Sequence, residues 1–243
     1  GADFLVDNAS IFAHKIGFSQ MTIGITIVAF GTSLPELLIS FLATISGSPD
    51  INIGNVIGSN ICNISLVFGT TALIAPVIVK FKILLKEMPM VVIISALFCL
   101  VIMNGIVTPA DGIVLLIAFF IFIYFSISKD DTEMPEGYEN IGNVRIFSLI
   151  LIGLAGVIGG AQSILQHPIE LLKIIGATII ALGTSLPELV TSVIAAWKGQ
   201  SELSLGNVLG SNIFNIAFIP GLISLIKPIQ VTSSIIRFDM WVM

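Results

Sequence analysis

Charge is what this chain has least of. Lysine, arginine, aspartate and glutamate make up only 10% of its 243 residues, where a soluble domain carries about 25%. So little charge excludes an ordinary water-soluble globule. Cysteine is nearly absent too. Cys62 and Cys99 each lie in an apolar run, which excludes a disulfide framework and leaves two buried thiols. No Cys or His spacing suggests a metal site, and the only histidines are His14 and His167. No secretory leader is visible. The chain opens GADFLVDNAS, without an initiator methionine, and closes IIRFDMWVM. The first stretch reads as the end of a span and the second as the start of one. Both ends are therefore expected to be lost, and the missing leader carries no information. The formal charge of −5 says little about partners, because five of the fifteen acids crowd into 130–139.

What fills the chain is hydrophobe: 56% of residues, with a mean hydropathy of +1.07. This is the composition of an integral membrane protein. A spanning helix needs about 20 apolar residues. Spans are expected near 19–46, 52–78, 88–106, 109–128, 144–166, 171–197 and 203–226. A fragment begins at about 235, and 1–16 is the remnant of an earlier span. Helices are expected throughout, because a helix satisfies its own backbone in lipid and these runs are too long for barrel strands. The one clearly soluble stretch, SKDDTEMPEGYENIGN, carries Pro135, Gly137 and five acids and reads as a solvated linker. It gives a first half at 1–128, an acidic cytoplasmic linker at 129–143 and a second, incomplete half at 144–243.

The halves repeat. GTSLPELL at 31–38 returns as GTSLPELV at 183–190, and GNVIGSNICNI at 54–64 returns as GNVLGSNIFNI at 206–216. One offset of 152 serves both and holds without a gap from about 24 to 91. Before that it fails. The second copy is about seven residues shorter between Ala161 and Gly176, which reads as a deletion or a lost loop. Each full repeat would hold five spans. An odd number of spans places the two copies in opposite orientations, an arrangement of transporters with substrate near the midplane. Loop charge orients the whole. Lys15, Lys80, Lys82, Lys86, Lys129, Arg145 and Lys198 fall on one side, against Lys173, Lys227 and Arg237 on the other, so the first side is expected to be cytoplasmic.

Each octapeptide sets a glutamate, Glu36 or Glu188, deep inside a span. A charged residue at the bilayer centre costs at least ~2.5–3.5 kcal/mol. A hydrogen bond to a neighbouring helix would explain one such residue; a matched pair in one context points to function. Pro35 and Pro187 supply no N–H and clash with the carbonyl four residues back, so each helix is expected to kink and free carbonyls near 29–32 and 181–184. Thr32, Ser33, Thr184 and Ser185 add hydroxyls. Carbonyl, hydroxyl and carboxylate oxygen within about one turn and a half form a ligand set for a hard cation such as Ca²⁺ or Na⁺. In the second motif, Ser59 and Asn63 share a helix face, as do Ser211 and Asn215. Those four read as further ion ligands. Asn55, Asn207 and the glycines at 54, 58, 206 and 210 read as close helix packing.

GTSLPEL twice and GNVxGSNxxNI twice are similar to the two alpha-repeats of the cation/calcium exchanger superfamily. The chain resembles its sodium/calcium exchangers, most closely the short prokaryotic branch, over nearly its whole length. The resemblance implies an all-α polytopic membrane protein, two inverted repeats of five transmembrane helices, here truncated at both ends. It implies a prokaryotic cell membrane, and antiport of Na⁺ against Ca²⁺ without enzymatic activity. It implies a central Ca²⁺ site at Glu36 and Glu188 with backbone oxygens of Thr32 and Thr184. Surrounding Na⁺ sites would use Ser33, Ser59, Asn63, Ser185, Ser211 and Asn215 and the carbonyls of Ala29 and Ala181. The partners implied are Ca²⁺, Na⁺ and the lipid bilayer, with no resident cofactor, nucleic acid or obligate protein partner. Several members, notably potassium-dependent ones, carry aspartate at the place of Asn215, so the asparagine argues against potassium coupling.

Other classes stay open at this point. Protonated glutamates could replace Na⁺ in a proton-coupled Ca²⁺ or cation antiporter, although such relatives usually carry GNA-type sequences in place of GTS. The acids could line a channel pore. Ser33 or Ser185 beside glutamate could serve an intramembrane hydrolase, but neither motif contains a Lys or His to act as base.

Overall fold

The apolar runs wind into helices broken where the sequence withdraws a backbone donor or supplies a cap. The computed structural model describes residues 1–47, 49–129, 142–166, 182–232 and 235–239. Helix α1 (Ala2–Ile16) ends at Gly17, whose φ of 71° closes the turn. Helices α2 (Gln20–Thr32) and α3 (Leu34–Ile45) are bent 45° against one another at Ser33. Next come α4 (Ile51–Ile74), α5 (Phe81–Ile102) and α6 (Pro109–Ser126). Helix α6 starts from a capping box in which Thr108 and Asp111 bond each other's backbone. After the linker follow α7 (Asn143–Gln166), α8 (Leu186–Trp197) and α9 (Ser201–Ile226). A two-residue antiparallel ladder joins β1 (Ile106–Val107) to β2 (Ile229–Gln230).

Among the described residues, five helices are long and apolar enough to cross a membrane, six if α2 and α3 count as one broken span. Large apolar side chains such as Leu73, Val92 and Tyr124 face outward, the surface a bilayer covers. The chain is a multi-pass membrane protein.

Several elements differ from expectation. Helix α4 stops at Ile74, short of 78, because Pro76 forces Ala75 into extended backbone at φ −143°, ψ 138°. Helix α5 begins at Phe81, seven residues before 88. Its charges misled the expectation: Glu87 is only 4% exposed, with Lys86 Nζ 3.7 Å away, and the helix carries Pro89 inside it. The fragment near 235 is a π-helical turn, Ile235–Asp239. Most of the acidic linker, the shortened stretch before Gly176 and the start of the 171–197 span lie outside the described residues.

The repeats are inverted. Helices α4 and α9 are repeat mates, and they run antiparallel. The chain just past the end of α4 meets the start of α9, where Ile78 N–H donates to Ser201 Oγ at 3.3 Å and Lys80 pairs with Glu202 at 2.5 Å. The start of α4 packs near β2, just past the end of α9. Lys80, Lys86 and Lys129 gather around one cavity of about 180 Å³. Lys227 lies at the far end of α9, where its Nζ donates to Thr44 O at 3.1 Å. These positions agree with the two-sided sorting of loop charge.

Further contacts tie the halves together. Helix α1 packs against α7, Leu5 against Gly153, and Lys198 at the end of α8 holds Asp3 and Asp7 of α1 at 2.5 and 2.7 Å. Helix α2 crosses α9 through Gly24 and Gly206, an approach only side-chain-free residues permit.

Candidate cation site

The site forms where two broken helices meet two helices that carry π-helical turns. Ser33 and Ser185 stand at the breaks, with backbone angles of −87°, 8° and −83°, 3°. Pro35 and Pro187 lie at the second position of α3 and α8, where a missing N–H harms the new helix least. Across the first break the ladder continues through Ser33 N–H on Ala29 O at 3.0 Å and Leu37 N–H on Ser33 O at 3.2 Å. Pro35 denies the Gly31 carbonyl its usual donor four residues on, but a backbone N–H at the break still reaches Gly31 O. Ala29 O, expected among the freed carbonyls, is already engaged by Ser33 N–H at 3.0 Å; the Thr32 hydroxyl also lies 3.3 Å from it, but its one proton has a shorter acceptor in Asn207 Oδ1 at 3.1 Å. Proline would have to stand at 33, two residues earlier, to release Ala29 O.

The π-helical turns went unread in the sequence. Asn63 opens one in α4, Asn63–Phe68, and Asn215 lies in its mate in α9, Phe214–Phe218. A third, Gly24–Val28, leads into the Ala29–Thr32 turn. Such turns add a residue to the helical repeat and occur often at functional sites. Their equivalent placement at 63 and 215 is a feature of the fold, since no composition cue marks a π turn.

The breaks and π turns collect ten polar side chains: Thr32, Ser33, Glu36, Ser59, Asn63, Thr184, Ser185, Glu188, Ser211 and Asn215. None is more than 4% exposed. The halves bind each other through them. Ser33 Oγ donates to Glu188 Oε1 at 2.9 Å, and its mate Ser185 Oγ donates to Glu36 Oε1 at 3.5 Å. Ser59 Oγ lies 3.4 Å from Thr184 Oγ1, and Thr32 Oγ1 lies 3.5 Å from Ser211 Oγ. Ser211 Oγ also donates to Glu188 Oε1 at 3.4 Å. Each glutamate is thus held by a serine from the opposite half. Of the expected ligands, Ala29 is buried beside this cluster, and Ala181 lies outside the described residues.

The hydrogen bonds stop short of satisfying the cluster. Among the described residues, Glu36 Oε2 and Glu188 Oε2 have no partner, nor do Nδ2 and Oδ1 of Asn63 or of Asn215. Buried polar atoms are almost always bonded, and leaving one unmet costs about 1–3 kcal/mol. Here six unmet atoms occupy repeat-equivalent positions. Among the described residues, no group of three or more His, Cys, Asp or Glu is placed to hold a metal ion. The arrangement therefore supplies two charges and a surplus of neutral oxygens, which suits a hard cation and not a soft metal.

Sequence reasoning set Asn55 and Asn207 aside as packing, and in the structure they lie directly behind the glutamates. Asn55 Nδ2 donates to Glu36 O at 3.2 Å and to Ser40 Oγ at 3.1 Å. Asn207 Nδ2 donates to Glu188 O at 3.4 Å and to Ser192 Oγ at 3.0 Å. Ser40 and Ser192 each follow the glutamate by four residues, a spacing the repeat alignment could have exposed.

Comparison with known proteins follows the same lines. The family model described as sodium/calcium exchanger protein matches residues 1–128 and 142–243. An uncharacterised membrane protein of Methanocaldococcus jannaschii is 40% identical over 225 residues, 89% of this chain and 74% of that one. The sodium/calcium exchanger MaX1 of Methanosarcina acetivorans is 34% identical over 294 residues, covering all of this chain and 84% of the relative. Among solved structures, the sodium-calcium exchanger NCX_Mj, soaked with 100 mM Na⁺ and 10 mM Sr²⁺, superposes with a TM-score of 0.85 at 34% identity. That superposition covers all of this chain and 82% of the other.

Proposed function

This chain belongs to the sodium/calcium exchanger protein family, and from that premise we propose that it exchanges Na⁺ for Ca²⁺ across a prokaryotic cell membrane by alternating access, with Glu36 and Glu188 as the central cation ligands. The observation that carries the reading is the set of six buried, unpartnered atoms on Glu36, Glu188, Asn63 and Asn215. Four of the six are oxygens, Glu36 Oε2, Glu188 Oε2, Asn63 Oδ1 and Asn215 Oδ1, and a hard cation can take carboxylate and amide oxygens together; the two Nδ2 groups are donors and are not satisfied by it. Backbone oxygens of Thr32 and Thr184 complete the Ca²⁺ site. Ser33, Ser59, Asn63, Ser185, Ser211 and Asn215 serve Na⁺, with the carbonyls of Ala29 and Ala181. Ala29 O keeps a second lone pair after accepting Ser33 N–H.

Charge then dictates exchange. Two carboxylates balance one Ca²⁺, and an uncompensated charge in a desolvated site is costly. Na⁺ and Ca²⁺ compete for the same oxygens, so the site carries one or the other on each crossing. Asparagine at both 63 and 215 leaves no third carboxylate to recruit K⁺. The inverted halves offer two mirror-related ways of opening the same cluster.

The test is ⁴⁵Ca²⁺ uptake into proteoliposomes with Na⁺, K⁺ and proton gradients imposed separately. Uptake is expected to follow an outward Na⁺ gradient, to survive a protonophore and to ignore K⁺. Uptake that follows the pH gradient and disregards Na⁺ would assign proton coupling instead.

A further inference from the structure

The exchange reading leaves Asn55 and Asn207 without a task, yet each is fully buried and bonded to the glutamate-bearing helix of its own half. Glu36 O and Ser40 Oγ lie one turn apart on one face of α3, so a single amide NH₂ can bridge them. Glu188 O and Ser192 Oγ repeat the arrangement on α8. A bridge of this kind fixes both the rotation of the helix and its height against α4 or α9. Rotation matters here, because it decides where the carboxylate points.

The halves differ in one respect. Asn207 Oδ1 accepts the Thr32 hydroxyl at 3.1 Å, whereas Asn55 Oδ1 has no partner among the described residues. The Asn207 amide therefore joins three elements: α8 through Glu188 and Ser192, its own α9, and α2 of the opposite half through Thr32. Asn55 joins only two.

We propose that Asn55 and Asn207 are positioning residues for cation binding, each aiming the glutamate of its own half, and that Asn207 also holds Thr32 of the other half against that glutamate. Neither amide is needed as an ion ligand. Their loss loosens the carboxylate geometry and thus weakens ion affinity more than turnover.

The inference rests on the exchange reading, and one experiment separates the two. Ca²⁺ uptake driven by a Na⁺ gradient is measured in proteoliposomes for wild type, Asn55→Ala, Asn207→Ala, Ser192→Ala and Ser192→Thr. Thermal unfolding of each purified protein reports whether it folds. Losing one buried, multiply bonded amide group is worth about tenfold in affinity. Asn207→Ala is expected to raise KM for Ca²⁺ by about tenfold with the maximal rate within about twofold of wild type. Asn55→Ala should raise KM less, by about threefold. Ser192→Thr keeps the hydroxyl and should restore the KM that Ser192→Ala loses. In a Thr32→Val background the gap between the two asparagine variants should close, since the bond that distinguishes them is gone. An unchanged KM in folded Asn207→Ala protein overturns the proposal. So does a fall in maximal rate alone, tracking lost thermal stability, which is the mark of a purely structural residue. Wild-type protein that takes up no Ca²⁺ on a Na⁺ gradient overturns the exchange reading itself.

Discussion

Replacing Glu36 with glutamine is expected to abolish Na⁺-driven Ca²⁺ uptake, by a hundredfold or more, and Glu188→Gln to do the same. The expectation follows from charge. Ca²⁺ in a buried cluster faces two carboxylates, and glutamine removes one while keeping its shape. A buried charge stripped of its partner costs about 3–5 kcal/mol, and each 1.4 kcal/mol is a factor of ten. The fold should not suffer. Ser185 Oγ can still donate to the Oε1 of a glutamine at 36, and Ser33 Oγ to one at 188, in the positions they now use. Removing a charge from membrane depth lowers the desolvation penalty, so thermal stability should hold or rise. Activity lost while stability is kept marks a site that the fold tolerates for function's sake. ⁴⁵Ca²⁺ uptake and an unfolding curve on the same preparation check both halves of the statement. Retained uptake in either variant would remove the glutamates from the site.

Much of this was legible in the sequence, for reasons that particular residues make plain. The glutamates announce themselves because carboxylates are rare at membrane depth, and the offset of 152 pairs them. Pro35 and Pro187 announce the breaks because proline has no N–H. Asn63 and Asn215 fall into place by their i, i+4 spacing from Ser59 and Ser211. What sequence could not carry was depth and partner. The Asn55 amide could as well have packed against a neighbouring helix. Only the fold brings it within bonding distance of both Glu36 O and Ser40 Oγ. The register of the break is equally fine-grained. A shift of two residues decides whether Ala29 O or Gly31 O loses its donor four residues on, and periodicity does not fix a boundary that closely. Charge misplaced the start of α5, because Lys86 and Glu87 read as loop while Glu87 is in fact buried against its neighbours. The π turns had no signal at all: Asn63–Phe68 and Phe214–Phe218 read as ordinary apolar helix.

The glycines of the second motif carry the other large expected effect. Gly206→Val should leave little folded protein, while Gly69→Ala should be neutral or mildly stabilising. A Cβ at Gly206 would stand 2.7 Å from Met21 O and 3.1 Å from Gly24 Cα. Its counterpart at Gly24 would stand 2.6 Å from Leu203 O, and one at Gly210 would stand 2.6 Å from Ile25 O. All of these neighbours are backbone, which cannot swing aside as a side chain would, so α2 and α9 would have to separate. Overpacking a fitted core costs about 1–3 kcal/mol for a small excess. Valine adds three carbons where the first already collides. At Gly69 an added Cβ meets nothing within 4 Å, and alanine is favoured over glycine in a helix by up to about 1 kcal/mol. The monodisperse fraction in detergent and the unfolding midpoint would measure both; a Gly206→Val protein as stable as wild type would refute the close crossing. The crossing also bears on transport. Gly206 adjoins Asn207 and Gly210 adjoins Ser211, so the distance between α2 and α9 sets the 3.1 Å bond from Thr32 to Asn207 and the 3.5 Å contact from Thr32 to Ser211. The milder Gly210→Ala, where the protein still folds, should therefore raise KM for Ca²⁺ as well as lower stability. The residue that lets the helices touch thus also holds the two halves of the cation cluster at bonding distance.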